Sequence, residues 1–82
     1  MPTLNVALYA GLQGLVGSPA VSIDVPPGAT VGVLRDRIVQ EYPVLDALIN
    51  TLVVAIDEEM VPVEHVVPES AKIELIPPIA GG

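Results

Sequence analysis

Eighty-two residues allow one small domain with a single modest core, too little for a deep catalytic cleft of its own. Ten acidic against three basic residues give a net charge of −7, which argues against a nucleic-acid binder and points to basic partner surfaces. Half the residues are apolar and there is no cysteine, so intrinsic disorder, a disulfide framework, a thiolate nucleophile and cysteine-built metal sites are excluded.

Thr3–Tyr9 reads as a strand, Leu4, Val6 and Leu8 alternating with Asn5, Ala7 and Tyr9. Gly11, Gly14, Gly17 and Pro19 then predict a turn or loop. Residues 1–23 carry no charged side chain, but these breakers interrupt them too often for a spanning helix, and a basic n-region is missing. A soluble, cytoplasmic protein without membrane attachment is expected. Ala20–Val25 predicts a second strand, ended by Pro26, Pro27 and Gly28.

Thr30 is a good N-cap for a helix in which Val31, Leu34, Ile38 and Tyr42 share one face. Arg35, Asp36, Arg37, Gln40 and Glu41 fall on the solvent side, and Pro43 closes the helix. Leu45, Leu48 and Ile49 suggest one more helical turn. Thr51–Ile56 is apolar and β-branched enough for a strand buried on both faces. Asp57, Glu58 and Glu59 supply a turn, Met60–Val63 a brief edge strand limited by Pro62, and Pro68–Ala71 a loop. Lys72–Ile76 is the last strand, with Ile73 and Leu75 inward and Glu74 outward.

Hairpin, helix, buried strand, short edge strand and final strand make an α+β layout: a mixed sheet of four to five strands covered by one main helix. That order fits the ubiquitin-like β-grasp among other small α+β folds. The division expected is a domain over residues 1–76 and an extended tail over 77–82.

The tail is the informative segment. Pro77 and Pro78 stop the strand and stiffen the chain, and the projecting residues reach at most about 20 Å. Gly81 and Gly82 carry no side chain, so the tip can enter a tunnel that any Cβ would block. Two terminal glycines also arise by chance, and frayed termini are common. Here the tail is apolar rather than polar, which favours insertion into a partner's active site. Ile76, Pro77, Pro78, Ile79, Ala80 and Gly81 are the candidate partner-binding residues, and Gly82 the reactive one. The competing arrangement folds Ile76 and Ile79 back onto their own sheet.

Lys72-Ile73-Glu74-Leu75-Ile76-Pro77-Pro78-Ile79-Ala80-Gly81-Gly82 resembles the C-terminus of the molybdopterin synthase small-subunit family, β-grasp sulfur carriers. Pro26-Pro27-Gly28-Ala29-Thr30-Val31-Gly32-Val33-Leu34 is similar to that family's strand-to-helix junction, and Glu41-Tyr42-Pro43 to its helix end. Val53-Val54-Ala55-Ile56-Asp57-Glu58-Glu59 stands at its strand and hairpin. The chain departs from the pattern at Gly11, Gln13 and Gly14, where the family often has arginine and glutamate, and at Asp57-Glu58, where it has Asn-Gly.

The resemblance implies that an ATP-using activating enzyme adenylates the Gly82 carboxylate and that a sulfur donor replaces AMP, leaving a thiocarboxylate. The tail would then enter the large synthase subunit, in an assembly of two small and two large subunits, to build the dithiolene of molybdopterin. The chain itself would bind no cofactor and no metal, and would be a carrier subunit rather than an enzyme. Thiamine, cysteine or tRNA thiolation, or attachment to proteins as a modifier, are the alternatives to that pathway.

The remaining candidates have plainer explanations. His65 is alone, and one histidine with scattered carboxylates makes a poor metal site. Asp57, Glu58 and Glu59 read as a solvated turn, and Arg35 and Arg37 as exposed helix positions that could dock an acidic patch. The glycines at 11, 14 and 17 lack the following Lys-Ser or Lys-Thr of a phosphate loop.

Overall fold

A computed structural model describes residues 2–77. Strand β1 (Thr3–Leu8) leads through helix α1 (Ala10–Val16) into β2 (Ala20–Asp24) and then α2 (Val31–Glu41). Two 3-10 turns, Pro43–Leu45 and Ile49–Thr51, carry the chain to β3 (Val53–Ile56), β4 (Glu59–Met60) and finally β5 (Ile73–Ile76). These strands form one mixed sheet in the order β2-β1-β5-β3-β4. The central pair β1–β5 is parallel, with Val6 beside Ile73 and Leu8 beside Leu75. The other pairs are antiparallel.

Period-2 alternation decides which side chains meet the helix layer. Leu4, Val6 and Leu8 of β1, Val21 and Ile23 of β2, Val54 and Ile56 of β3, and Ile73 and Leu75 of β5 are all buried. Val31, Leu34 and Ile38 of α2 lie over them in a single apolar cluster. No polar or charged side chain is buried among the described residues.

Helix α2 begins where Thr30 predicts. The Thr30 hydroxyl accepts from Val33 N at 3.3 Å, and its carbonyl accepts from Leu34 N at 3.0 Å. The two remaining first-turn amides are taken by the segment before β5. Val31 N donates to His65 O at 2.8 Å and Gly32 N to Val63 O at 2.9 Å. This strap is pinned further by Val67 N donating to Ala29 O at 2.9 Å. The three first-turn amides that precede the first helical bond, those of Val31, Gly32 and Val33, are thus all satisfied by protein groups.

Several expectations need correction. The segment carrying Gly11 and Gly14 is a helix rather than a loop, and Gly17 is its left-handed cap (φ 86°), donating to Gln13 O at 2.7 Å. Burial of Leu12 and a bond from Gln13 Nε2 to Leu8 O (2.8 Å) hold this helix despite its glycines. The strand expected from Thr51 starts at Val53, because Ile49–Thr51 is spent on a 3-10 turn. The edge strand expected over Met60–Val63 is instead Glu59–Met60. Asp57 and Glu58 form the two-residue turn between β3 and β4, both at positive φ (51° and 72°), as type I′ hairpins require. Arg35 and Arg37 are half-buried, not exposed. The Arg35 side chain folds down, one Nη donating to Ile49 O (2.6 Å) and to Asn50 Oδ1 (3.1 Å), and so ties α2 to the second 3-10 turn.

Candidate functional site

The predicted site residues begin on β5 and leave the described structure almost at once. Ile76 is the last strand residue, half-buried and paired with Val53. Pro77 follows, also half-buried. Pro78, Ile79, Ala80, Gly81 and Gly82 lie outside the described residues. What the fold supplies is therefore the base of the tail and the surface around it.

That base is the centre of the sheet. β5 is hydrogen-bonded to β1 on one side and β3 on the other, so the chain approaching the tail is fixed from both flanks. On the face turned away from α2, register places Ala7 beside Glu74, Glu74 beside Ala55 and Ala55 beside Met60. Tyr9 N donates to Leu75 O at 3.4 Å, which brings the Tyr9 ring to the end of β5. Tyr9, Ala55, Met60, Ile76, Lys72, Glu58 and Glu74 line a shallow depression of about 350 Å³ just upstream of the tail. Met60 is 72 % exposed and Tyr9 46 %, so two large side chains stand uncovered on this face. Small alanines between them keep it flat. An outer face of this kind suits contact with another protein better than capture of a small molecule.

The described residues hold no group of three or more His, Cys, Asp or Glu that could take a metal. His65 is exposed and uses only backbone atoms here, its N donating to Pro62 O (3.1 Å) while its O receives Val31 N. Asp57, Glu58 and Glu59 are exposed. Asp57 closes the hairpin onto the next strand, its Oδ1 accepting from Lys72 N (3.0 Å) and its N donating to Lys72 O (2.8 Å). At the N-terminus of α2 the strap takes the Val31 and Gly32 amides that an anion would otherwise use. Arg35 is engaged in holding the fold together, and Arg37 is half-buried on the same helix. Among the described residues, no helix is long and apolar enough to cross a membrane.

Sequence inspection missed Tyr9 and Met60 as neighbours of the tail. Tyr9 was visible as an outward position of an alternating strand. Met60 required the register of a two-residue strand, which periodicity cannot supply.

A five-stranded mixed sheet with one main helix, and a last strand threaded through its middle, defines a ubiquitin-like β-grasp protein. The chain belongs to the ThiS family of sulfur carriers, whose family model matches residues 6–82. It is 30 % identical over 79 residues to the molybdopterin synthase sulfur carrier subunit of Arabidopsis thaliana, covering 96 % of this chain and 82 % of that protein. The small archaeal modifier protein 1 of Haloferax volcanii has a similar structure, with a TM-score of 0.85 and 26 % identity over 98 % of this chain and 99 % of that one. A complex of subunits 1 and 2 of the molybdopterin-converting factor from Helicobacter pylori contains a similar chain, with a TM-score of 0.68, 18 % identity and coverage of 98 % and 99 %.

Proposed function

We propose that this chain is the small, sulfur-carrying subunit of a molybdopterin synthase. The observation that carries the proposal is the 30 % identity, over 96 % of the chain, to a molybdopterin synthase sulfur carrier subunit. Chemistry supports it. An ionised carboxylate is a poor electrophile, so an activating partner consumes ATP to join AMP to Gly82 and release pyrophosphate. A sulfur donor displaces AMP, and the resulting thiocarboxylate is carried into the large subunit. Pro77, Pro78, Ile79, Ala80 and Gly81 occupy the partner's channel, while Ile76, at the end of β5, meets its mouth with Tyr9 and Met60. In this reading acid–base work is left to the partners.

The test is co-purification with the large synthase subunit, coupled to intact mass measurement. The expected result is a complex containing carrier whose mass is raised by one oxygen-to-sulfur exchange. Deleting Gly82, or adding one residue after it, abolishes that mass gain while the circular dichroism spectrum stays unchanged. Sulfur transfer from either variant at the normal rate overturns the proposal.

The similarity to a small archaeal modifier protein favours a second reading, in which the activated Gly82 is transferred to lysines of other proteins. Gly-Gly remnants on partner lysines after trypsin would identify it. Transfer of the sulfur to thiamine, cysteine or tRNA instead would leave the mass gain intact but remove the synthase subunit from the complex.

A further inference from the structure

The two edges of the sheet are not equally protected. β4 is two residues long and is followed by Pro62, which blunts it. β2 runs for five residues with no proline, and no described element pairs with its outer side. Leu8 N donates to Pro19 O (2.9 Å) and Val25 N to Pro2 O (3.0 Å), which fixes the parity of the ladder. Val21 and Ile23 therefore turn their backbone polar groups to β1, while Ala20, Ser22 and Asp24 turn theirs outward.

The side chains that could guard this edge are drawn back from it. Thr3 Oγ1 donates to Asp24 Oδ1 at 2.6 Å, and Ser22 Oγ donates to Asn5 Oδ1 at 3.0 Å, both across to β1. Ser18 Oγ donates to the Ala20 carbonyl at 2.8 Å, and that oxygen keeps a second lone pair. An open row of backbone donors and acceptors is left, centred on Ser22.

We propose that β2 pairs with β2 of a second copy of this chain, antiparallel and two-fold about Ser22, joining two sheets into one. In that register Ser22 faces its own copy and Ala20 faces Asp24 of the other chain. Each such pair exchanges two N–H to C=O bonds, so every outward group of the strand is used. Val21 falls opposite Ile23, which continues the apolar inner face across the join. A second copy fits better than a foreign strand because the open residues are symmetric about Ser22 and the charges accept it. The two Asp24 carboxylates end about 13 Å apart along the strands. That exceeds the screening length of about 8 Å at physiological salt. β5 lies two strands inward, so both tails stay available.

Sedimentation equilibrium from micromolar to submillimolar protein tests this. The wild-type chain is expected to dimerise, more tightly as salt rises, because the net charge of −7 on each copy is screened. Ser22→Asp and Ser22→Lys, each placing like charges on the axis, weaken self-association about tenfold or more, and an equimolar mixture of the two restores it. In the wild type, the amides of Ala20, Ser22 and Asp24 are slow to exchange in concentrated solution and fast in dilute solution. A wild-type chain that stays monomeric throughout, charge variants that dimerise as it does, or amides indifferent to concentration each overturn the proposal.

Discussion

The inner and outer faces of the sheet take their side chains from the same strands, one residue apart. Inward, Leu4, Val6, Val54 and Leu75 meet Leu34 and Ile38 and are withdrawn from water completely or nearly so. Outward, Ala7, Ala55 and Glu74 make a shallow surface with Tyr9 and Met60 standing above it. The inner face holds most of the packing, Ala55 being the buried exception on the other side. Beside the base of the tail the outer face is a shallow surface where Tyr9 and Met60 stand among Glu58, Lys72 and Glu74. The packed core and the face proposed for partner contact are separated by the pleat of the strand itself.

The separation can be attacked from either side. Leu34→Ala keeps helix propensity but empties the centre of the inner face, and should cost about 2–5 kcal/mol in urea unfolding. Partner affinity, corrected for the folded fraction, should not change. Met60→Ala should do the opposite. Its stability should stay within about 0.5 kcal/mol of wild type. Affinity for the large synthase subunit, measured by calorimetry, should fall by about 1–2 kcal/mol, roughly tenfold. Equal losses of stability and affinity in both variants would break the comparison. The smallest effect sharpens it at a third location. A Cβ on Gly14 would meet nothing within 4 Å, so Gly14→Ala should raise the stability of α1 and the domain by about 0.5–1 kcal/mol in the same unfolding assay.

Most of the inner face was legible in the sequence, because alternation in Leu4–Leu8, Val21–Val25 and Ile73–Leu75 has one physical solution. So was α2, bounded by a Thr30 cap and Pro43. α1 was not, since three glycines outweigh Leu12 and Val16 in any local estimate. The helix is kept by burial of Leu12 and by the Gln13 side chain reaching Leu8 O, both tertiary effects. Arg35 shows the same limit. Its position on the helix predicted solvent, yet its long arm finds an acceptor at Ile49 that no periodicity contains. The surface beside the base of the tail was not legible, because it needed strands from both halves of the chain to be set in register.

The central place of β5 has a mechanical consequence. A load applied to the tail is delivered along a strand bonded on both sides, parallel to β1 and antiparallel to β3. Such a load shears two ladders at once rather than peeling one from an edge, so the bonds resist it together. A segment that entered a partner and was drawn out again, as proposed for the tail, would thereby be attached where the domain yields last.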